Sequence, residues 1–164
     1  MLLDDLYMKM MEYYGGDPAR LQHFVKVHSF SRIIGIKEGL SGKEQLILEA
    51  AAYVHDIGIK PAEEKFGSSA GPYQEKEGPS VAEAMLGELG FAEDVISRVS
   101  YLVGHHHTYK NIDGMDYQIL VEADFLVNLF EDHVSEAGIC HAYDSIFKTE
   151  TGKKICREMY QIQE

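Results

Sequence analysis

Residues 117–131 read YQILVEADFLVNLFE, a run that is apolar on most sides and yet carries Asp124 near its middle. The apolar residues recur at helical spacing and do not alternate as they would in a half-buried strand, so we predict a helix inside a helical core. A buried carboxylate is costly unless it is paired, protonated or bound to a cation. Because lysine and arginine are scarce in this run, a metal ion is the simplest partner for Asp124.

The rest of the chain shows the same helical spacing and predicts an all-α, single-domain helical bundle of about six to eight helices. Asp17 followed by Pro18 is a typical helix start, and Ser41 with Glu44 fits a capping box. Residues 58–79 are rich in glycine, proline, serine and lysine and predict a long loop. The predicted helices cover residues 3–14, 18–38, 42–55, 80–88, 93–105, 117–131 and 153–161.

The composition restricts the classes of partner. The chain has 164 residues, 27 acidic and 15 basic side chains and a formal net charge of −12. Such a surface repels phosphate backbones and anionic lipid, so we expect neither DNA or RNA coating nor membrane binding. The start lacks the pattern of a signal peptide, and the two cysteines are outside any CxxC spacing, which favours a cytoplasmic protein. The oligomeric state is left open.

Two further segments carry residues that often bind metals. His28 lies on an apolar stripe of the second helix, and His55 continues the apolar face of the third, with Asp56 directly after it. Taken alone, His28 is better explained as a buried core histidine that is hydrogen-bonded to a carbonyl than as a ligand. Together with Asp124 these residues offer two imidazoles and two carboxylates, a donor set suited to Mn, Fe, Co, Ni or Zn, with Mg as a further candidate.

The order of these residues resembles the H…HD…D signature of the HD-domain superfamily of metal-dependent phosphohydrolases. HSF at 28–30, HDIG at 55–58 and EADFLVN at 122–128 carry the resemblance. It implies one HD-type domain over residues 1–164, with a core of about 18–131 and a C-terminal helical extension over 132–164. It also implies that His28, His55, Asp56 and Asp124 bind one divalent metal.

The same resemblance implies a reaction. A metal-activated water would hydrolyse a phosphoester of a small phosphorylated molecule, such as a nucleotide, and Asp56 would act as the catalytic residue that orients this water or takes its proton. Three side chains are candidates for contacts to the substrate: Lys60 after the HDIG motif, Arg32 one turn beyond His28, and Asn128 one turn beyond Asp124.

Some members of the superfamily hold a second metal with two further histidines, one of them in a histidine doublet. The doublet is matched by LVGHHH at 102–107. Neighbouring residues on a helix differ by about 100° in direction, so three adjacent histidines cannot all face one site. We favour His106, with His105 next, as a ligand of a second ion or of substrate phosphate.

The other histidine of the dinuclear members is missing. Its place, in the segment 73–82, holds Gln74, Glu75 and Glu77. Either Glu75 or Glu77 supplies an oxygen ligand to a second ion, or the second site is lost, or the two acids only cap a helix that begins at Pro79.

Two other functions remain open at this stage. A dinuclear iron oxygenase of the same fold would need a complete second site. A non-catalytic, ligand-sensing helical domain would use its metal only for stability.

Overall fold

The structure, a computed structural model, describes residues 1–163, and over that range it is entirely helical, with no strand. The predicted all-α class is confirmed. No helix among these residues is both long and apolar enough to cross a membrane. In this part of the chain nine helices follow one another: α1 (Leu2–Tyr13), α2 (Pro18–Lys37), α3 (Gly42–Val54), α4 (Ile59–Phe66), α5 (Gly71–Leu89), α6 (Glu93–Val103), α7 (Met115–Glu131), α8 (Glu136–Ile146) and α9 (Glu150–Tyr160).

The predicted starts of α2 and α3 are confirmed by their caps. The Asp17 side chain accepts a hydrogen bond from the backbone N–H of Arg20 at 3.0 Å, and Pro18 follows as the first helical residue. Ser41 and Glu44 form both hydrogen bonds of a capping box. Each cap satisfies backbone N–H groups that a helix start leaves without partners, which fixes where these two helices begin.

The central packing unit consists of α2, α3 and α7. Each of these three helices packs against the other two, α6 packs against α3, and α5 lies between α6 and α4. α1 packs on α3 and α5, while α8 and α9 pack against α7. As a result, the buried faces of α2, α3 and α7 meet in the middle of the molecule.

The segment 58–79 is not a loop, which corrects the prediction. It forms α4 and the first half of α5, joined by a short turn at Gly67, whose φ of 64° ends α4 in a left-handed conformation. Ile59 and Ala62 are buried and hold α4 to the core. Because α5 begins at Gly71 and runs through Pro79, Glu75 and Glu77 lie inside a helix and do not cap one. α8 was also not predicted, and Ser135 caps its start.

The glycine of the HDIG segment permits a close contact between two backbones. A Cβ atom on Gly58 would lie 2.4 Å from the carbonyl oxygen of Gln74 and 2.9 Å from the backbone nitrogen of Gly78. No side chain fits in that space, so the start of α4 can pass this close to α5 only with glycine at this position. This contact lies two residues after Asp56 and helps to fix the end of α3.

Candidate metal centre

Four titratable side chains from α2, α3 and α7 meet in the core. His23 comes from the buried face of α2, His55 and Asp56 follow the last turn of α3, and Asp124 comes from the middle of α7. All four are buried, with exposed fractions between 0% and 5%. Such a concentration of histidine and aspartate away from water requires mutual pairing or a bound cation.

The polar atoms of these side chains point at one another. His23 Nε2 lies 3.2 Å from His55 Nε2, 3.2 Å from Asp124 Oδ1 and 3.3 Å from Asp56 Oδ2. His55 Nε2 lies 3.4 Å from each of the same two carboxylate oxygens. Four atoms at these separations surround one small common space.

The outer nitrogens of the histidines are each held by an acceptor. His23 Nδ1 bonds to Glu131 Oε1 (2.6 Å), His55 Nδ1 to the carbonyl oxygen of Ala52 (2.8 Å), and His106 Nδ1, near the same site, to that of Val103 (2.8 Å). Carbonyl and carboxylate oxygens only accept, so each Nδ1 carries the proton. In the neutral imidazole the Nε2 atom then directs a lone pair inward, as in histidines that bind metals.

The electrostatics of the cluster call for positive charge at its centre. Burial alone lowers the pKa of His23, but the carboxylates of Asp124 and Asp56 more than offset this and raise it to about 9. The same two carboxylates raise the pKa of His55 well above its usual range despite complete burial. In turn, burial raises the pKa of Asp56, but His55, His106 and His23 outweigh it and hold the pKa well below its usual range. A proton or a metal cation between these groups offsets the negative charge of the two carboxylates and gives the inward-facing imidazole nitrogens a partner.

A further buried nitrogen lies beside these four side chains. His106 Nε2 lies 3.3 Å from Asp56 Oδ1 without the geometry of a hydrogen bond, and it has no hydrogen-bond partner although it is fully buried. The ligand atoms of His23, His55 and Asp56 all lie within 4.8 Å of one another. Imidazole nitrogens and carboxylate oxygens in this arrangement fit a divalent transition metal.

The comparison with known families agrees with this site. The HD domain family matches residues 20–146. The chain belongs to the HD-domain family. Its fold is similar to the crystal structure of a protein described as a predicted HD superfamily hydrolase from an uncultured Thermotogales bacterium, with a TM-score of 0.66 and 24% identity over 98% of this chain and 83% of that chain. At this identity the likeness shows the fold alone. No curated protein matches.

The structure does not bring His28 to the cluster, where the sequence predicted it, and it places His23 there instead. Residues five apart on a helix differ by about 140° in direction, so His23 and His28 cannot face the same site. His28 Nε2 instead lies 2.9 Å from Glu49 Oε1, and its ring stacks on Tyr53 at a centroid distance of 4.1 Å. His23 was missed in the sequence, although it lies four residues before the buried Val27 on the same face.

The histidine run places His106 and His107, not His105, beside Asp56. α6 ends at Val103, so the run lies in a turn where adjacent side chains can converge. Asp56, His106 and His107 form a second group of ligand atoms within 4.8 Å. His105 Nδ1 bonds to the carbonyl oxygen of Tyr101, and its ring stacks on the ring of that tyrosine. His105 therefore stabilises the turn and does not face Asp56, which corrects the prediction of His105 as the second candidate ligand.

The two glutamates predicted for a second site are engaged elsewhere. Glu75 accepts a hydrogen bond from Thr108 Oγ1 at 2.9 Å, and Glu77 pairs with Lys65 at 2.7 Å. Gln74, by contrast, is buried, and its Oε1 lies 3.2 Å from His107 Nε2. Its amide nitrogen donates to the carbonyl oxygen of Ser69 at 2.6 Å, which orients Oε1 toward His107.

Of the predicted substrate contacts, Asn128 lies at the cluster. Its Nδ2 donates to Asp124 Oδ1 at 3.0 Å. Arg32 is exposed on the His28 side of α2 and is not part of the cluster. Lys60 is exposed, with its ammonium 3.3 Å from the carbonyl oxygen of Tyr13 and 4.9 Å from the centre of that ring.

The cation that does reach the cluster is Arg20, which sequence reasoning missed. Its Nη1 donates to Asp56 Oδ2 at 3.0 Å, and its side chain is about one-third exposed. Arg20 lies three residues before His23, so both project from one face of α2. Once His23 is identified as part of the cluster, this three-residue spacing is the sequence signal that predicts Arg20 beside it.

A cavity of about 450 Å³ opens beside the cluster, between the start of α2 and the end of α7. It is lined by buried His23, by half-buried Arg20 and Asn128, and by exposed Phe130, Asp132 and His133. This volume lies within the range of small-ligand pockets.

Proposed function

We propose that this HD domain is a hydrolase of phosphoesters of small molecules, and that its divalent transition metal is held by His23, His55, Asp56 and Asp124. One observation carries the proposal. Buried nitrogen and oxygen acceptors from three helices face a common space at 3.2–3.4 Å, while the three neighbouring imidazoles are each anchored through Nδ1. A cation is the partner that satisfies acceptors arranged in this way.

A divalent metal bound there would lower the pKa of a coordinated water and polarise a phosphoryl oxygen. Arg20 stands beside Asp56 at the edge of the cavity, where its remaining N–H donors can bind a phosphoryl oxygen. Asp56, whose oxygens lie beside His23, His55 and His106, would orient the attacking water or take its proton. Asn128 orients the carboxylate of Asp124.

The catalytic test uses Asp56→Asn and Asp124→Asn. We expect either variant to keep the helical fold but to lose more than about a hundredfold in turnover, because a ligand is lost and not merely a residue that supports one. The assay is hydrolysis of p-nitrophenyl phosphate and a panel of nucleotides with added Mn²⁺, Co²⁺, Ni²⁺ or Mg²⁺. Asp144→Asn, an exposed acid of α8, is the matched control.

Full activity in either ligand variant would overturn the proposal. Wild-type protein that binds metal but hydrolyses none of these esters would also overturn it and would favour the non-catalytic, metal-stabilised alternative.

We further propose that the centre holds one metal. The group Asp56, His106 and His107 is the observation in favour of a second ion. However, Glu75 and Glu77, the other candidate ligands of a second ion, pair with Thr108 and Lys65, so this group has only three ligand residues, and it shares Asp56 with the first site. Elemental analysis should therefore find one metal per chain. Two irons per chain with oxygen-dependent consumption of a substrate would establish the dinuclear oxygenase instead.

A further inference from the structure

We propose that the cavity between the start of α2 and the end of α7 receives the leaving group, and that it selects phosphomonoesters of uncharged, hydroxyl-bearing alcohols over diphosphates and triphosphates. This inference rests on the proposed hydrolase function and specifies its substrate class.

The position of the cavity places it next to the reacting phosphoryl group. Its wall includes His23, a proposed ligand, and Arg20, whose guanidinium contacts Asp56. Asn128, the partner of Asp124, lies in the same wall. A phosphoester whose phosphoryl group is at the metal and at Arg20 can therefore place its alcohol portion in this cavity, whose wall includes both His23 and Asn128.

The charges of the cavity disfavour additional phosphates. Arg20 already pairs with Asp56, and Glu131 is neutralised by Lys26 at 2.6 Å. Asp17 and Asp132 are exposed at the same cavity, and no basic side chain of residues 1–163 forms an ion pair with either. A second or third phosphate would lie beside two carboxylates that have no ion-pair partner, and such like-charge contacts weaken binding.

The same wall suits hydroxyl groups and an aromatic ring. Carboxylate oxygens accept hydrogen bonds from alcohols, and Asp17 and Asp132 supply them. Phe130 is 67% exposed at this cavity, far more than its neighbours in α7. An exposed phenyl ring at the edge of a polar pocket can stack on a planar base, so a nucleoside monophosphate is the best probe.

The first test compares AMP, ADP and ATP as substrates of the metal-loaded enzyme. We expect kcat/KM for AMP to exceed the values for ADP and ATP by about tenfold or more. Asp132→Asn and Asp17→Asn should each narrow the AMP-to-ADP ratio by about threefold, the size expected of one exposed charge. Asparagine can still cap α2 at position 17. Asp144→Asn, which removes the same charge elsewhere, should leave the ratio unchanged.

The second test concerns the aromatic ring. Phe130→Ala should raise KM for AMP about fivefold, at the low end for base stacking, and leave KM for ribose 5-phosphate unchanged. A general loss of structure would raise both values.

Binding provides a readout that does not depend on turnover. Titration calorimetry on the metal-loaded protein, with hydrolysis-resistant phosphonate analogues, should show tighter binding of the AMP analogue than of the ADP analogue, with a smaller difference in Asp132→Asn. Two results would overturn the cavity assignment and leave the hydrolase proposal standing. One is an active enzyme that prefers ADP or ATP, and the other is an AMP-to-ADP ratio of kcat/KM that neither Asp17→Asn nor Asp132→Asn changes. Absence of hydrolysis for every ester, p-nitrophenyl phosphate included, would overturn the hydrolase proposal, and the cavity assignment with it.

Discussion

His23 and His28 belong to the same helix, and both lie beside carboxylates, yet their surroundings differ. His23 Nε2 faces another imidazole and two carboxylate oxygens, all within 3.3 Å, and its Nδ1 is held by Glu131. His28 Nε2 meets a single carboxylate oxygen, that of Glu49, and its ring is covered by Tyr53.

The difference shows what distinguishes a metal ligand from a core histidine. The pair of His28 and Glu49 is complete, since Gln45 Nε2 occupies the second oxygen of Glu49 at 2.9 Å. Around His23, hydrogen-bond acceptors outnumber hydrogen-bond donors, and the acceptors without a donor face the centre of the cluster. The pKa values follow the same division, because carboxylates raise that of His23 to about 9 whereas burial lowers that of His28.

The largest expected effect separates the two histidines by metal content. His23→Gln should lower metal affinity by more than about a hundredfold, because it removes a proposed ligand, whereas His28→Gln should retain the metal. Elemental analysis of both purified variants, with wild type alongside, checks this. If His28→Gln lost the metal and His23→Gln kept it, the assignment of the two histidines would be reversed.

A smaller effect is expected from the carboxylates that hold the two rings. Glu131→Gln should weaken metal binding by about tenfold, since it disturbs the anchor of His23. Glu49→Gln should leave metal binding unchanged and lower the free energy of unfolding by about 1 kcal/mol through the bond to His28. Metal titration and urea unfolding of the two variants measure these effects, and equal metal affinities would contradict the proposed anchoring role of Glu131.

The smallest effect concerns pH. Burial lowers the pKa of His28 more than Glu49 raises it, so in the acid range the unfolded chain binds a proton that the folded protein resists. The stability that neutral His28 provides is complete above its unfolded pKa of about 6.5 and is lost as the pH falls below it. The advantage of wild type over His28→Gln in urea unfolding should therefore shrink from about pH 7.5 to about pH 5.5. An advantage that grows over this interval would contradict it.

Local sequence signals were sufficient for the central helices and for part of the site. The caps at Asp17 and Ser41 act within three residues, and the buried run of α7 has an unambiguous apolar pattern. Asp124 stands out because nothing within its own helix can neutralise it. The structure confirms that Asp124, His55 and Asp56 lie together, and their role as metal ligands stays a proposal.

The remaining features depend on contacts between distant segments. The choice between His23 and His28 depends on which face of α2 is buried, and α3 and α7 decide that face. Whether residues 58–79 form helices or a loop depends on the contact of Gly58 with Gln74 and Gly78, which composition cannot reveal. The histidine run was interpreted as helix, whereas it is a turn supported by Tyr117, whose hydroxyl donates to the carbonyl oxygen of His105 at 2.7 Å.

The most direct test of the metal centre is a crystal structure of the metal-loaded protein with data collected at the absorption edge of the bound metal. We expect one anomalous peak per chain, about 2.0–2.2 Å from His23 Nε2, His55 Nε2 and an oxygen of each of Asp56 and Asp124. A peak between His28 and Glu49, or none at the cluster in protein shown to contain metal, would contradict this assignment.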